Sequence, residues 1–507
     1  MSLLFEGREW NFDKLKRAYD AVEEIALGEL GLDVYPNQIE VITVEQMLDA
    51  YASNGMPVLY HHWSFGKRFV RDEILYRKGY QGLAYEIVIN SDPCISYIME
   101  ENSMTMQTLV MAHAAFGHNH FFKNNNLFRQ WTDAKAIFAY LAFARDFVAR
   151  CEEKNGSEAV ERILDAAHAL QLQGVNRYKR QTRRNLADEL AREKDRRSYE
   201  ESSWNPLWAT LPASKQSGLI GVERRASDER TPPIELPEEN LLYFIEKYSP
   251  SLHGWEREIL RIVRILAQYF YPQRQTKMMN EGCATFVHYE IMNRLHDKKR
   301  IDDGAFFEFL ESHTSVTRQP AFYERGYGGL NPYALGFAIM RDIQRICSEP
   351  TEEDRQWFPD IAGNGDAFGT LREVWANYRD ESFILQFLSP KVIRDFKMIA
   401  LRDDEGVPYF EVTAIHDEAG YRDIRAALAR EYECARQDPE IEITDVDLLG
   451  DRKLLLSHKV RGGQKLEQKS LDSTLRHIRA LWGYGVCLRE IDAESGDLLP
   501  EGEIALS

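Results

Sequence analysis

The chain is short of three things, and each shortage excludes a class of protein. Cysteine is sparse: Cys94, Cys151, Cys283, Cys347, Cys434 and Cys487 show no CxxC spacing. Neither a disulfide framework nor a structural zinc ribbon is expected, and the thiols read as reduced. Long apolar runs are missing too, since none reaches the roughly 18 residues a membrane helix needs. The opening "MSLLFEGREWNFDKLKRAYD" meets charge too early for a secretory signal, so the expectation is a cytoplasmic protein. Positive charge is in deficit as well: a formal charge of −18 argues against general attraction to nucleic-acid phosphate or anionic membrane. One basic stretch, "NRYKRQTRRNLADELAREKDRR", reads as a solvated helix face carrying i to i+4 ion pairs.

What is present supports a globular chain. With 507 residues, 44% hydrophobic and 11% aromatic, there is apolar material for two or three domains with real cores. Apolar residues at three and four spacing in "FDKLKRAYDAVEEIALGEL" and "AKAIFAYLAFARDFVARCEE" predict helices, and "GLAYEIVIN" between them a buried strand. Residues 198–240 are polar, rich in Pro and Ser and without period, which predicts a surface insertion. Helical patterning resumes at Leu241; "RGYGGLNPYALG" reads as a loop and then a helix capped at Asn331, with Pro332 in its first position. Beyond about 390 the period changes from 3.6 to 2. Two hairpins, each followed by an amphipathic helix, and a last strand "YGVCLREID" give the order ββαββαβ. The expected architecture is a mainly α N-terminal domain (1–390) with a smaller α+β C-terminal domain (391–507) built on an antiparallel sheet.

Histidines concentrate in apolar surroundings: His61 and His62 in "YHHWSFGK", His113, His118 and His120 in "VMAHAAFGHNHFFKNN", and His288 beside Glu281 in "MNEGCATFVHYEIMN". Burying a charged group costs several kcal/mol unless it is paired or bound to an ion, so these segments call for partners. Glu281 and His288 are seven apart and lie on one helical stripe. His113 and His118, five apart, diverge by roughly 140° in a regular helix and converge only where a π-bulge widens the turn, which Gly117 would permit. The H-E-x-x-H pattern of zinc peptidases is absent: its first two positions, counted back from His118, hold Ala114 and Ala115. "NEGCATFV" nevertheless resembles the segment in which gluzincin aminopeptidases carry a glutamate ligand, and Glu281 matches that glutamate.

Seven stretches together, "HWSFGK", "GLAYEIVIN", "YIMEENSMTMQ", "MAHAAFGHNHFFKNN", "NEGCATFVHY", "NPYALGFAIMRDI" and "AIHDEAGYRDIR", resemble the SpoVR family (stage V sporulation protein R) over nearly the full length. His62, His113, His118, Glu281 and His288 fall on positions typical of that family, whereas His120 and Cys283 do not. The resemblance implies a place in sporulation or stress and stationary-phase physiology, in company with a PrkA-type serine kinase and a YeaH-type protein. It implies no settled reaction.

The leading expectation is a metal-dependent hydrolase, amidase or peptidase-like. His113, His118, Glu281 and His288 are its candidate ligands for a divalent ion, zinc foremost, with His62 as a further ligand or orienting group and Glu86 or Glu101 as general base. A non-enzymatic scaffold acting through the kinase and its companion is the alternative, and iron redox chemistry on the same ligands a third.

Overall fold

A computed structural model describes residues 2–506 except 54–55, 57–58, 79–84, 178–235, 323, 326, 403–407, 409–410, 447–449 and 462. Most of the basic stretch and of the expected 198–240 insertion lies outside the described residues. The architecture is mainly helical in the N-terminal region, with a smaller strand-bearing region at the C-terminal end.

Helix α1 (Phe12–Glu23) begins where the Asn11 side chain accepts the Lys14 N–H. Strand β1 (Asn37–Ile42), helix α2 (Val44–Ala52) and helix α3 (Trp63–Arg77) lead to strands β2 (Glu86–Ile89) and β3 (Cys94–Met99). The three strands form a sheet of order β1-β3-β2, parallel between β1 and β3 and antiparallel between β2 and β3. Every residue of β3 is buried, as its apolar run requires of a central strand.

Helix α4 (Met104–Met111) runs without a break into a π-helical segment, Ala112–His118, and then helix α5 (Asn119–Asn124). After helices α6 (Asn126–Trp131), α7 (Ile137–Asn155), α8 (Ser157–Ala169), α9 (Leu241–Tyr248) and α10 (Gly254–Gln275) comes the buried helix α11 (Lys277–Asp297). Its start is pinned by Asp380, whose carboxylate oxygens accept the N–H groups of Met278 and Met279 at 2.9 and 2.8 Å. Helix α12 (Asp303–Val316) follows, then α13 (Pro332–Ser348), which starts as expected with Asn331 accepting the Tyr333 N–H and Pro332 in the first turn.

Helix α11 is held closely on two sides because glycine lets backbones meet. A Cβ at Gly117 would stand 2.5 Å from Ala284 Cα, and one at Gly336 2.5 Å from the Met278 carbonyl oxygen. Neither space exists, so the π-helical segment and α13 both lie directly on the α11 backbone.

At the C-terminal end, strands β4 (Ala400–Arg402) and β5 (Glu411–Ala414) pair as the first expected hairpin and form a separate two-stranded sheet. The following helix α14 (Glu418–Tyr432) buries Tyr421, Ile424 and Leu428 in the same core as Phe116, Phe286 and Trp375 of the helical region. Strands β6 (Ile441–Val446), β7 (Leu454–Val460), β8 (Val486–Asp492) and β9 (Leu498–Leu506) make the main C-terminal sheet in that order. With helix α15 (Gln468–Trp482), it shares a second core with α7 to α10.

Two details differ from the antiparallel ββαββαβ expectation. The central pair β7 and β8 is parallel, because α15 carries the chain back across the sheet before the next strand begins. A further strand, β9, pairs antiparallel with β8 along the edge. Its "LLPEGEIAL" carries Pro and Gly and so has a poor strand pattern, but an edge tolerates both.

Gly336→Ala should lower stability by about 1–3 kcal/mol through overpacking against α11, measured as a shift in the urea midpoint. Gly66→Ala, on α3 where an added methyl meets nothing, should leave the midpoint unchanged or raise it; equal losses in the two variants would contradict the close packing described.

Candidate metal centre

The π-helical segment does what a regular helix cannot. Its i to i+5 bonding, seen at its end where the Asn119 N–H reaches the Ala114 carbonyl, widens the turn and brings His113 and His118 onto one face. Their rings lie 4.6 Å apart, edge to face. Gly117 contributes by close approach: it lets this turn sit against Ala284, which brings the two imidazoles over the Glu281 end of α11.

Four side chains converge there. Nε2 of His113 lies 3.6 Å from a Glu86 carboxylate oxygen and 3.9 Å from one of Glu281, and Nε2 of His118 lies 3.6 Å from the same Glu281 oxygen. Ligand atoms of Glu86, His113 and His118 all fall within 4.8 Å of one another. Glu86 comes from the start of β2, Glu281 from the first turns of α11, and both histidines from the widened turn.

The remaining ring nitrogens are accounted for. Nδ1 of His118 is 2.9 Å from Asn280 Oδ1, so it donates and leaves Nε2 as an acceptor. His113 Nδ1 lies 2.9 Å from His288 Nδ1, and His288 Nε2 lies 2.9 Å from His313 Nδ1. With His113 donating to His288 and His288 to His313, each contact holds one proton and His113 Nε2 keeps its lone pair. Tyr333, at the start of α13, hydrogen-bonds Glu281.

Electrostatics follow from burial. Loss of water, reinforced by the neighbouring Glu281 charge, pushes the Glu86 carboxyl up to about 8. Burial and then the adjacent imidazoles hold His113 and His288 well below the ordinary histidine value, and His313 falls to about 4 through burial and the nearby Arg341. Three neutral imidazoles in a row carry no mutual repulsion.

Several sequence expectations can now be placed. His113, His118 and Glu281 come together, and Glu86 joins them. His288, expected as a ligand, has both ring nitrogens engaged by other imidazoles and stands behind His113. His62 is elsewhere: it caps α3, and its ring meets Ser64 and Asp165. His120 bonds the Asp33 backbone, and Glu101 is exposed in the turn after β3. Cys283 is buried beneath the Gly117 carbonyl, its thiol pushed well up by loss of water. Sequence reasoning passed over Asn280, His313 and Tyr333. For Asn280 a signal existed, a buried polar residue directly before Glu281; nothing marked the other two.

A helical protein in which two buried histidines on a π-helical turn meet two half-buried glutamates is the class that fold and site define. The chain belongs to the SpoVR family: the SpoVR like protein model matches residues 9–437, and the SpoVR-like C-terminal domain model matches 439–493. The junction between the two falls just before β6. The chain is 52% identical over 487 residues to the uncharacterized protein YcgB of Escherichia coli (strain K12), covering 96% of this chain and 94% of that one. No solved structure matches it. Among the described residues, no helix is long and apolar enough to cross a membrane.

The raised Glu86 value has a consequence for the metal-free protein. A carboxyl whose folded pKa lies near 8 rather than 4.5 contributes stability that is whole at low pH and lost as pH rises through about 8. The depressed histidines act oppositely, their contribution fading as pH falls below the ordinary 6.5. Between pH 6.5 and 8 the Tm of chelator-treated protein should therefore fall, and in Glu86→Gln it should fall measurably less; identical slopes would contradict the burial described.

Proposed function

We propose that this chain is a metal-dependent hydrolase of amide or peptide-like bonds. Its divalent ion, zinc foremost, would be held by His113, His118 and Glu281, with Glu86 facing the same point. The spacing supports this reading. Polar atoms 3.6 to 3.9 Å apart are too distant to hydrogen-bond. They approach the separation of about 3.3 Å between neighbouring ligands that bonds of 2.0–2.1 Å around a tetrahedral ion produce. The donor set fits as well, since each histidine turns its Nε2 toward the carboxylates while its Nδ1 is engaged from behind, one by Asn280 and the other by His288.

Such an ion, when bound, lowers the pKa of a water ligand toward about 7 and polarises a carbonyl. The chain's own residues do the rest. Glu86 faces the same point, and with its carboxyl held ionised by the charge of a bound ion it would accept the proton of an attacking water and return it to the departing amine. Tyr333 fixes the Glu281 carboxylate through its hydroxyl. The linked imidazoles of His288 and His313 keep the His113 ring from turning.

Elemental analysis of protein purified without a metal-binding tag and then reconstituted should find about one equivalent of a transition ion, and His118→Ala should find almost none. Asn280→Leu, which removes only the orienting contact, should weaken affinity about 10- to 100-fold. Less than about 0.1 equivalent after reconstitution would overturn the hydrolase reading and leave the cluster as the polar centre of a scaffold.

A further inference from the structure

A second group of side chains, remote in sequence from the His113 and His118 turn, forms a relay. His62 precedes α3, and Ser64 is the second residue of that helix. Ser64 Oγ lies 2.7 Å from His62 Nδ1, and His62 Nε2 lies 3.1 Å from Asp165 Oδ1 on α8. The backbone N–H of Ser64 also points at His62 Nδ1, at 3.4 Å. Two donors on Nδ1 make it the acceptor, so the ring proton sits on Nε2 and is given to Asp165. Asp165 is itself fixed by the Trp63 indole N–H at 2.8 Å. The imidazole is 2% exposed at its side chain, and burial holds it below its ordinary value, so it is neutral near pH 7 and able to take a proton.

Ser64 lines a cavity of about 670 Å³, within the range that takes a small organic ligand. Its walls are largely apolar, including Met56, Leu59, Phe65, Ile87, Ile89 and Leu266. Such walls receive a hydrocarbon or aromatic group, with Arg68, Gln171, Gln273 and Arg274 as the polar part of the lining.

We propose that Ser64, His62 and Asp165 are a second reactive centre, an acyl-transfer site in which Ser64 Oγ attacks the carbonyl of an ester or thioester whose apolar acyl group occupies this cavity. The Ser64 hydroxyl proton passes to His62 Nδ1 as the bond from Oγ to the carbonyl carbon forms. It then goes to the alkoxide or thiolate that leaves as the ester or thioester bond breaks. Water attacks the acyl-serine, His62 takes its proton and returns it to Oγ, and the free acid departs. Asp165 stabilises the transient imidazolium, and because Ser64 is the second residue of the fifteen-residue α3, a carbonyl attacked by its Oγ would come near the positive end of that helix. The arrangement has the roles of a serine triad with the two ring nitrogens exchanged.

The test separates this from simple helix capping. A fluorophosphonate probe incubated with the full chain should form one adduct, mapped by mass spectrometry to Ser64 and lost in Ser64→Ala. His62→Asn keeps a good N-cap but removes the base. Its melting temperature should hold while labelling slows at least about 100-fold. Asp165→Asn, at a partly exposed position, should slow labelling at least about 10-fold. A p-nitrophenyl octanoate burst should exceed that of the acetate, because only the longer chain fills the cavity. No adduct, an adduct elsewhere, or undiminished labelling in His62→Asn and Asp165→Asn would each overturn the proposal. Equal bursts from the two esters would overturn the cavity as its acyl pocket. None of these readouts depends on an ion at the His113 and His118 cluster, so the two readings fail separately.

Discussion

The contact between Gly117 and Ala284 is the constraint on which the rest of the site depends. Two backbones meet where no Cβ fits on one of them, and that closeness, joined to the widened turn of the π-helical segment, sets two imidazoles over the start of α11. A regular α-helix in the same place would send His118 away from His113. An alanine at 117 would lift the whole turn off α11. On the far side of α11, Gly282 and Gly336 repeat the device. Asp380 fixes the helix end, leaving α11 little freedom to slide along its axis.

Burial gives this geometry its chemistry. Glu86, His113 and His288 are withdrawn from water, and each is driven toward its neutral form for that reason. Neutral imidazoles with one nitrogen already engaged are suitable metal donors, and a carboxyl poised near neutrality suits proton transfer. The His62 group shows the same logic in a different setting. There a buried ring is kept neutral, but its partners are a hydroxyl and a carboxylate, and the hydroxyl lines a largely apolar cavity.

Much of the fold was legible from patterning. The N-terminal helices, the strand in "GLAYEIVIN", the Asn331 and Pro332 helix start and the C-terminal change of period all follow from local rules. The parallel pairing of β7 with β8 was not, because period 2 reports which face a residue occupies and says nothing about strand direction. Likewise β9 is a strand only because β8 offers it an edge. At the site, spacing identified the one distortion by which His113 and His118 could meet. It also placed Glu281 and His288 on one stripe, yet seven residues of helix separate them, and the second faces imidazoles instead of carboxylates.

The sequence alone determined which residues are costly to bury, since the charge and hydrogen-bonding capacity of His113, His118, Glu281 and Glu86 are properties of single side chains in apolar neighbourhoods. It also determined family membership, because seven short stretches in fixed order are a linear property. Only the tertiary structure decided which of those residues share a point in space. That depends on how close two helices can come and in what register, and both are set by atoms such as the missing Cβ of Gly117 whose partner, Ala284, lies far along the chain.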